Sequence, residues 1–301
     1  MDIKQISYFV EVVNHGSYSL AAKKLKISQP ALSTSIKKLE EELEAKLFFY
    51  SNKKLFLTDI GREFYNNSRK LLIDYNALIV GMQDLSSKDI GTIKLGVPVV
   101  IGSVYMADIM GRFKQEYPKI NFQIIEEGGD IVADMVDKGE LDCAAVIMPT
   151  SKVKFDVHNT IPNKYVIVVH KDNPLAKYDK VTFEMLKNEV FTTLTKTYTT
   201  NHIFISNCEK AGFTPEVLVY TSQWDFMATL VANNQCICML PRPLMEKYRN
   251  PVLKLLDIEG SQNEWTIGLI TKKGQYLSKA TRLFIDYVKK YNQQHQLESK
   301  K

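Results

Sequence analysis

Ser28-Gln29-Pro30-Ala31-Leu32-Ser33 opens a helix whose outward positions are small and polar, then basic, directly behind a short helix and a tight connection. That order is the layout of a helix-turn-helix, in which the second helix enters the DNA major groove with its first residues at the base edges. Ser28 has the chemistry of an N-cap, and Pro30 stands in the first turn, where a missing N–H costs nothing. Leu32, Ile36, Leu39 and Leu43 recur with helical period and form the inner face, which leaves Gln29, Pro30, Ser33, Thr34 and Lys37 pointing outward. Gln29 can present its amide bidentately to an adenine, and Pro30 or Ala31 can touch a thymine methyl. Ser33, Thr34 and Lys37 are placed for phosphate or base-edge contact. Folding alone explains Ser28, but it demands neither Gln29 nor Ser33 at these positions. Glu40, Glu41, Glu42 and Glu44 would repel phosphates, so the far end of this helix is expected outside the groove as a solvated face.

Upstream, Ile3, Ile6, Phe9, Val10 and Val13 share a helical face over residues 2 to 14, with Asp2 and Gln5 as a capping box and His15-Gly16 as the stop. A second helix is expected from Ser19, burying Ala21, Ala22 and Leu25. Downstream, Leu47–Tyr50 and Lys54–Leu57 read as the two strands of a hairpin joined by Ser51-Asn52-Lys53, the wing of a winged helix-turn-helix. Lys53 and Lys54 at its tip suit phosphates or the minor groove. A long helix follows from Thr58 or Asp59 to about Ser87, with Phe64, Leu71, Tyr75, Leu78, Met82 and Leu85 in a heptad seam interrupted by Ser68. A seam of that kind needs a partner helix, whereas a helix lying on its own domain shows a wider stripe, so the pattern favours dimerisation.

From Ile93 onward strand-like and helix-like segments alternate, which implies βαβ units and a mainly parallel sheet. Helices are expected over Ser103–Tyr117, Ile131–Lys138, His202–Ala211, Phe226–Asn233 and Ser278–Tyr291. Strands are expected over Ile120–Ile125, Leu141–Ile147, Tyr165–His170, Val190–Leu194, Val217–Tyr220, Cys236–Leu240 and Trp265–Thr271, with a disordered tail from Gln293.

The chain of 301 residues has room for roughly two ordinary domains. Its net charge of +5 favours an anionic partner without demanding one, but Lys23, Lys24, Lys26, Lys37, Lys38, Lys53, Lys54 and Arg62 concentrate basic charge near the amino end. No apolar run approaches the ~20 residues of a membrane span, and the first residues lack the plan of a signal peptide. Cys143, Cys208, Cys236 and Cys238 show no metal-ligand spacing. The composition therefore points to a cytoplasmic protein, with no membrane partner and no cofactor. The five histidines are scattered without a nucleophile motif, and phosphate-loop and dinucleotide fingerprints are missing, so an enzyme has no support.

Taken in order and spacing, these motifs resemble the LysR-type bacterial transcriptional regulators over about residues 2 to 292. The resemblance is carried by Phe9 and Val12 before Gly16-Ser17-Tyr18, then Ala21-Ala22, Leu25, Ser28 to Ser33, Ile36, Leu39-Glu40, Leu43, Leu47-Phe48 and Leu57-Thr58-Asp59-Ile60-Gly61. Gly91 to Gly96, Phe113, Tyr117-Pro118, Gly139-Glu140-Leu141-Asp142 and Pro241 continue it. The chain departs from the family pattern at Tyr50, where many members carry Arg, at Asn233-Asn234-Gln235 in place of a glycine-rich turn, and at Pro98-Val99-Val100-Ile101, which lacks the usual hydroxyls.

The resemblance implies an α/β protein with an all-α winged helix-turn-helix domain at 1–58, a linker and dimerisation helix at 59–89, and an effector-binding domain at 90–301. That last part would comprise two α/β subdomains like those of periplasmic binding proteins, the first about 90–161 plus 268–292 and the second about 162–267. A small ligand, expected to be a small carboxylate, would bind between them. By residue-level matching its walls are Pro98 to Ser103, with Val99, Val100 and Ser103 as contacts, and Thr192 to Thr200, with Lys196, Thr197, Thr199 and Thr200. Met148, Gln223 and Trp224 complete the lining. The implied partners are double-stranded DNA at an inverted-repeat promoter site, the effector, a second copy through residues 59–89, two such dimers in a tetramer, and RNA polymerase, with the protein at the nucleoid when DNA-bound. The alternative is a redox-sensing regulator switched by cysteine oxidation, for which Cys208 would have to be exposed with a lowered pKa. A constitutive DNA-bending protein without an effector is the remaining reading.

Overall fold

The computed structural model describes residues 1–86, 91–260 and 264–298, and the chain divides into two compact units that meet at residues 86 and 87. In the amino-terminal unit, α1 (Ile3–His15) begins with the capping box of Asp2 and Gln5 and ends at Gly16 in the left-handed conformation. Helix α2 (Tyr18–Leu25) starts one residue before the sequence reading because Ser17, not Ser19, caps it. Helix α3 (Gln29–Glu42) is capped by Ser28, whose hydroxyl accepts from Ala31 N, with Pro30 in the first turn. Phe9, Val12, Ala21, Leu32, Ile36, Leu39 and Leu47 are fully buried between the three helices and the hairpin. Phe9 sits edge-on to Phe64 at 5.1 Å and tilted against Phe48 at 5.2 Å, so the aromatic rings join helix, wing and linker helix.

The wing is an antiparallel pair, β1 (Phe48–Ser51) and β2 (Lys54–Leu57), in which Ser51 already pairs with Lys54. The turn is therefore two residues, Asn52 and Lys53, both at positive φ. That is the type I′ geometry matching the twist of the strands. Helix α4 (Asp59–Ser86) starts from Thr58, whose hydroxyl accepts from Gly61 N at 2.9 Å. Its heptad seam changes role along its length. Phe64 packs into the unit's own core and Ser68 is buried, whereas Leu71, Tyr75, Leu78 and Met82 are exposed. The Leu85 side chain and the extension to residue 89 lie outside what the structure describes.

The second unit contains two α/β subdomains. The first holds β3 (Gly91–Gly96), a helical stretch of α5 (Val99–Ile101), a π segment (Gly102–Met106) and α6 (Ala107–Glu116), then β4 (Ile120–Ile125), α7 (Gly129–Asp137), β5 (Cys143–Ile147) and β6 (Phe155–Ile161). The second holds β7 (Tyr165–His170), β8 (Lys180–Val181), β9 (Val190–Leu194), α8 (Thr199–Lys210), β10 (Glu216–Thr221), α9 (Trp224–Ala232), β11 (Cys238–Pro241), α10 (Arg242–Tyr248) and β12 (Leu253–Ile258). The chain then returns to the first with β13 (Ile267–Lys272) and α11 (Lys279–Glu298).

Several sequence expectations are corrected. The sheets are mixed rather than mainly parallel: the order β4-β3-β5-β13-β6 has two parallel contacts, but the returning β13 runs antiparallel to β5 and β6. In β11-β7-β12-β8 the strands flanking β7 are both antiparallel to it, and β9 and β10 join this sheet through a parallel bridge from Phe191 to Ile237. Strands β6, β8 and β12 and helix α10 lie outside the sequence expectations, and the helix expected from Ser103 begins instead at Val99. The tail from Gln293, expected to be disordered, continues α11 as far as Glu298.

The two crossings between subdomains run side by side. Trp265 N donates to Asn163 O at 2.7 Å, and Lys164 forms an antiparallel bridge with Glu264. Trp265 is fully buried there, stacked on Tyr105 of the π segment at 6.1 Å and tilted against Tyr165 of β7.

Candidate nucleic-acid interface and ligand cleft

On α3, Gln29, Pro30, Thr34 and Lys37 are exposed, and Ser28 is exposed at the cap. Ser33 departs from the expectation of an outward residue: it is half-buried, since it lies beside Leu32 and three residues before Ile36, at the border of the inner stripe. Lys53 and Lys54 are exposed at the wing tip. Lys37 reaches its neighbour Glu41 at 3.6 Å, an exposed pair of little energetic weight. The face so formed has an amide, hydroxyls and lysine ammoniums and no exposed carboxylate in the first two turns, the composition that a DNA groove accepts.

The acidic end of α3 is not a uniformly solvated face. Glu40 is buried, at 9 % exposure, and its carboxylate accepts from Leu47 N at 2.8 Å, from Phe48 N at 3.3 Å and from Lys46 Nζ at 2.8 Å. Sequence reasoning missed it because its partners are backbone N–H groups beyond the end of the helix, which no side-chain pattern marks. Burial, together with the Glu40 charge, also pushes the Tyr18 hydroxyl above its ordinary range.

In the second unit the two subdomains touch along a rim. Gly128 precedes α7 and faces the Thr197 backbone so closely that a Cβ there would lie 2.0 Å from Thr197 O. A Cβ at Gly129 would lie 3.1 Å from Thr199 Oγ1, and His202 of α8 approaches Asp130 of α7 at 3.8 Å. Helices α7 and α8 both start without a side-chain hydrogen bond from their capping residues, Gly128 and Tyr198, and their amino ends converge at this rim. Burial raises the Tyr198 pKa, and the nearby Glu126 and Glu127 raise it further, which places those carboxylates on the same rim. On the opposite side, Lys247 Nζ of α10 donates to Ser103 O at 2.9 Å.

The expected lining residues separate under this geometry. Lys196 and Thr197 are exposed and Thr199 is half-buried at the rim, with Thr197 Oγ1 3.1 Å from Thr195 Oγ1. Thr200 is buried, its hydroxyl paired with Tyr165 OH at 3.0 Å, and Val100 packs into the core while Val99 is half-buried. Ser103 donates to Val99 O within the helical stretch and borders a groove of about 560 Å³ between α6 and β4, lined mainly by Met106, Met110, Phe122 and Ile124. Met148 lies against Gly268, Gln223 is exposed before α9, and Trp224 packs edge-on to Tyr248 at 5.5 Å. The structure thus gathers Lys196, Thr197 and Thr199 at one rim and turns Val100, Thr200, Met148 and Trp224 toward packing contacts. The rim residues Gly128, Asp130 and His202 were missed because their pairing crosses between subdomains.

All four cysteines are buried, and burial pushes the Cys208 thiol up to about 12 and Cys236 to about 11. Thiols held protonated and out of solvent are poor redox sensors. Among the described residues no cluster of histidine, cysteine and carboxylate groups could hold a metal ion, and no helix is long and apolar enough to cross a membrane.

Both units match one family. Residues 3–62 fit the pattern described as bacterial regulatory helix-turn-helix protein, lysR family, and residues 86–293 fit the LysR substrate binding domain. The chain belongs to the LysR family. LysR proteins regulate transcription by binding DNA and are not enzymes. The Bacillus subtilis HTH-type transcriptional regulator YwbI is 30 % identical over 291 residues, covering 97 % of both chains. Among solved structures, a full-length cysteine variant of OxyR from Pseudomonas aeruginosa has a TM-score of 0.71 at 19 % identity, with 96 % of this chain and 94 % of that one covered. The effector binding domain of QuiR in complex with shikimate has a TM-score of 0.61 at 20 % identity, with 68 % of this LysR protein and 99 % of QuiR covered. These structural likenesses are likenesses of fold, over both units for OxyR and over the paired α/β domain for QuiR.

Proposed function

We propose that this LysR regulator reads an inverted-repeat promoter site as a homodimer and is switched by a small carboxylate held between its two α/β subdomains. The observation carrying the effector assignment is the convergence of the uncapped amino ends of α7 and α8 at Gly129 and Thr199. Free N–H groups and the positive end of a helix dipole suit a carboxylate. Glu126, Glu127 and Asp130 crowd the α7 side, so the carboxylate belongs at α8, beside Lys196, Thr197 and Thr199. Shikimate, the ligand in the QuiR complex, is a small carboxylate of this kind.

Dimerisation is supported by the exposed Leu71, Tyr75, Leu78 and Met82 stripe of α4, which has the spacing of a two-helix seam. The outer edge strands β4 and β10, with exposed Ile124, Leu218 and Tyr220, offer the second contact that a tetramer requires. At the promoter, Gln29 reads a base and Lys53 and Lys54 hold phosphates. Gln29→Ala is expected to cost about 1–3 kcal/mol against the preferred base and to relax specificity at one position of each half-site. Competition binding against single-base operator variants measures this, and an unchanged base preference would remove Gln29 from the readout.

The effector assignment is tested by thermal unfolding of the full chain against a panel of small carboxylates. A ligand at ~100 times its dissociation constant adds roughly 2.7 kcal/mol to the unit that binds it. A dose-dependent rise for one carboxylate, lost in Thr199→Val, is the expected result. A flat panel combined with an oxidant-dependent change in DNA affinity would favour the cysteine switch instead.

A further inference from the structure

Wing and recognition helix are separate elements, yet both must meet the same DNA at once. The only buried carboxylate in the described part of the amino-terminal unit stands between them. Glu40 occupies the last turn of α3, while its neighbours Glu41, Glu42 and Glu44 are exposed. A carboxylate near a helix carboxyl end opposes the helix dipole, and a buried one is costly unless donors answer it. Here three donors do: Leu47 N at 2.8 Å, Phe48 N at 3.3 Å and Lys46 Nζ at 2.8 Å. Leu47 immediately precedes β1 and Phe48 is its first residue, so these bonds clamp the base of the hairpin to the end of α3.

We infer that Glu40 is a positioning residue that fixes the wing relative to the recognition helix, so the phosphate contacts of Lys53 and Lys54 depend on a carboxylate that does not touch DNA. The inference rests on the proposed wing contacts. From Phe48 to the turn the hairpin extends ~13 Å at ~3.3 Å per residue, so a tilt of ~10° at its base moves the tip by about 2 Å. That displacement is enough to lose a hydrogen bond to phosphate. A solvated glutamate near DNA predicts the reverse sign: its removal takes away a repulsion and tightens binding.

The test measures operator affinity of the full-length protein against salt for Glu40→Ala, Glu40→Gln, Lys53→Ala/Lys54→Ala, and Glu40→Ala combined with the lysine pair. The lysine pair alone is expected to flatten the slope of log affinity on log salt by about 2 per protomer, or about 4 for the dimer. Glu40→Ala is expected to weaken binding at least tenfold and to flatten the slope similarly, with little further loss in the combined variant, the mark of groups acting as a unit. Glu40→Gln, which retains an acceptor for Leu47 N, recovers part of the affinity. Base preference at the Gln29 position stays as in the parent, which a general loss of folded protein would also leave in place but with an unchanged slope. Tight binding by Glu40→Ala with a parental slope, while the lysine variant flattens, overturns the Glu40 role alone. A parental slope in the lysine variant overturns the wing contacts and the Glu40 role with them. If Glu40→Ala melts below the assay temperature, Glu40→Gln against the lysine variant makes the same comparison.

Discussion

Gly61→Ala is expected to destabilise the amino-terminal unit by about 3 kcal/mol, the sum of ordinary overpacking strain and two broken hydrogen bonds. A Cβ at position 61 would lie 2.1 Å from the Leu47 carbonyl oxygen and 2.9 Å from its carbon. These are backbone atoms and cannot rotate away. The same oxygen accepts from Thr58 N at 3.0 Å, and Thr58 Oγ1 donates to Lys46 O at 2.6 Å, so α4 and β1 are pinned together at the point where the methyl would intrude. Either the first turn of α4 lifts or the wing moves, and both disturb the packing of Phe48 and Phe64 on Phe9. Hydrogen exchange of the full-length protein measures the effect: amides of α1 to α3 should lose roughly two orders of magnitude of protection while those of the second unit keep theirs. Parental protection in α1 to α3 would show that the backbone relaxes around the methyl at no cost.

Gly128→Ala should act on the rim between the subdomains. Its φ suits any residue, so the effect comes from the intruding atom, 2.0 Å from Thr197 O. The closed rim of the variant is expected to cost about 3 kcal/mol more than in the parent, a shift of populations on the order of a hundredfold toward an open cleft. Opening separates Asp130 from His202 and uncovers the Thr195–Thr200 segment. Protease cleavage and hydrogen exchange in that segment should rise in the variant, and any carboxylate that stabilises the parent should stabilise it less. Equal exchange in the two proteins would mean that the rim yields locally and that closure does not depend on this contact.

The sequence was most legible where the physics is local. Caps, turns and a one-sided apolar stripe are written within a few residues, so Asp2 with Gln5, Ser28 before Pro30, and the buried face from Leu32 to Leu39 could be read directly. Glu40 could not, because burial was decided by backbone donors seven and eight residues on, and its three glutamate neighbours made a solvated face the simpler reading. Strand β6, Phe-Asp-Val-His-Asn-Thr-Ile over Phe155–Ile161, carries polar residues on both faces and owes its place to pairing with β13, more than a hundred residues later. The start of α5 is hard to read for a related reason. Val99 to Ile101 are β-branched and suggest extended chain, but Val100 and Ile101 gain more from burial in the core as the first turn of a helix. The candidate cleft residues were chosen by type, as threonines and a lysine before a helix, and sequence alone did not separate the exposed Lys196 and Thr197 from the buried Thr200.

Trp265, held between Tyr105 and Tyr165 where the two crossings pair, also determines what kind of signal this protein can carry. A single tether between two bodies works as a ball joint and permits motion about any axis. Two tethers bonded side by side work as a door hinge: they allow rotation about one line and resist twist and slip. If the proposed effector changes the angle between the subdomains, a hinge of this kind would confine the second subdomain to arcs about one line, with displacement growing in proportion to distance from it. Ligands of different shape and charge would be reported outward in the same form, as a larger or smaller reading on a single dial.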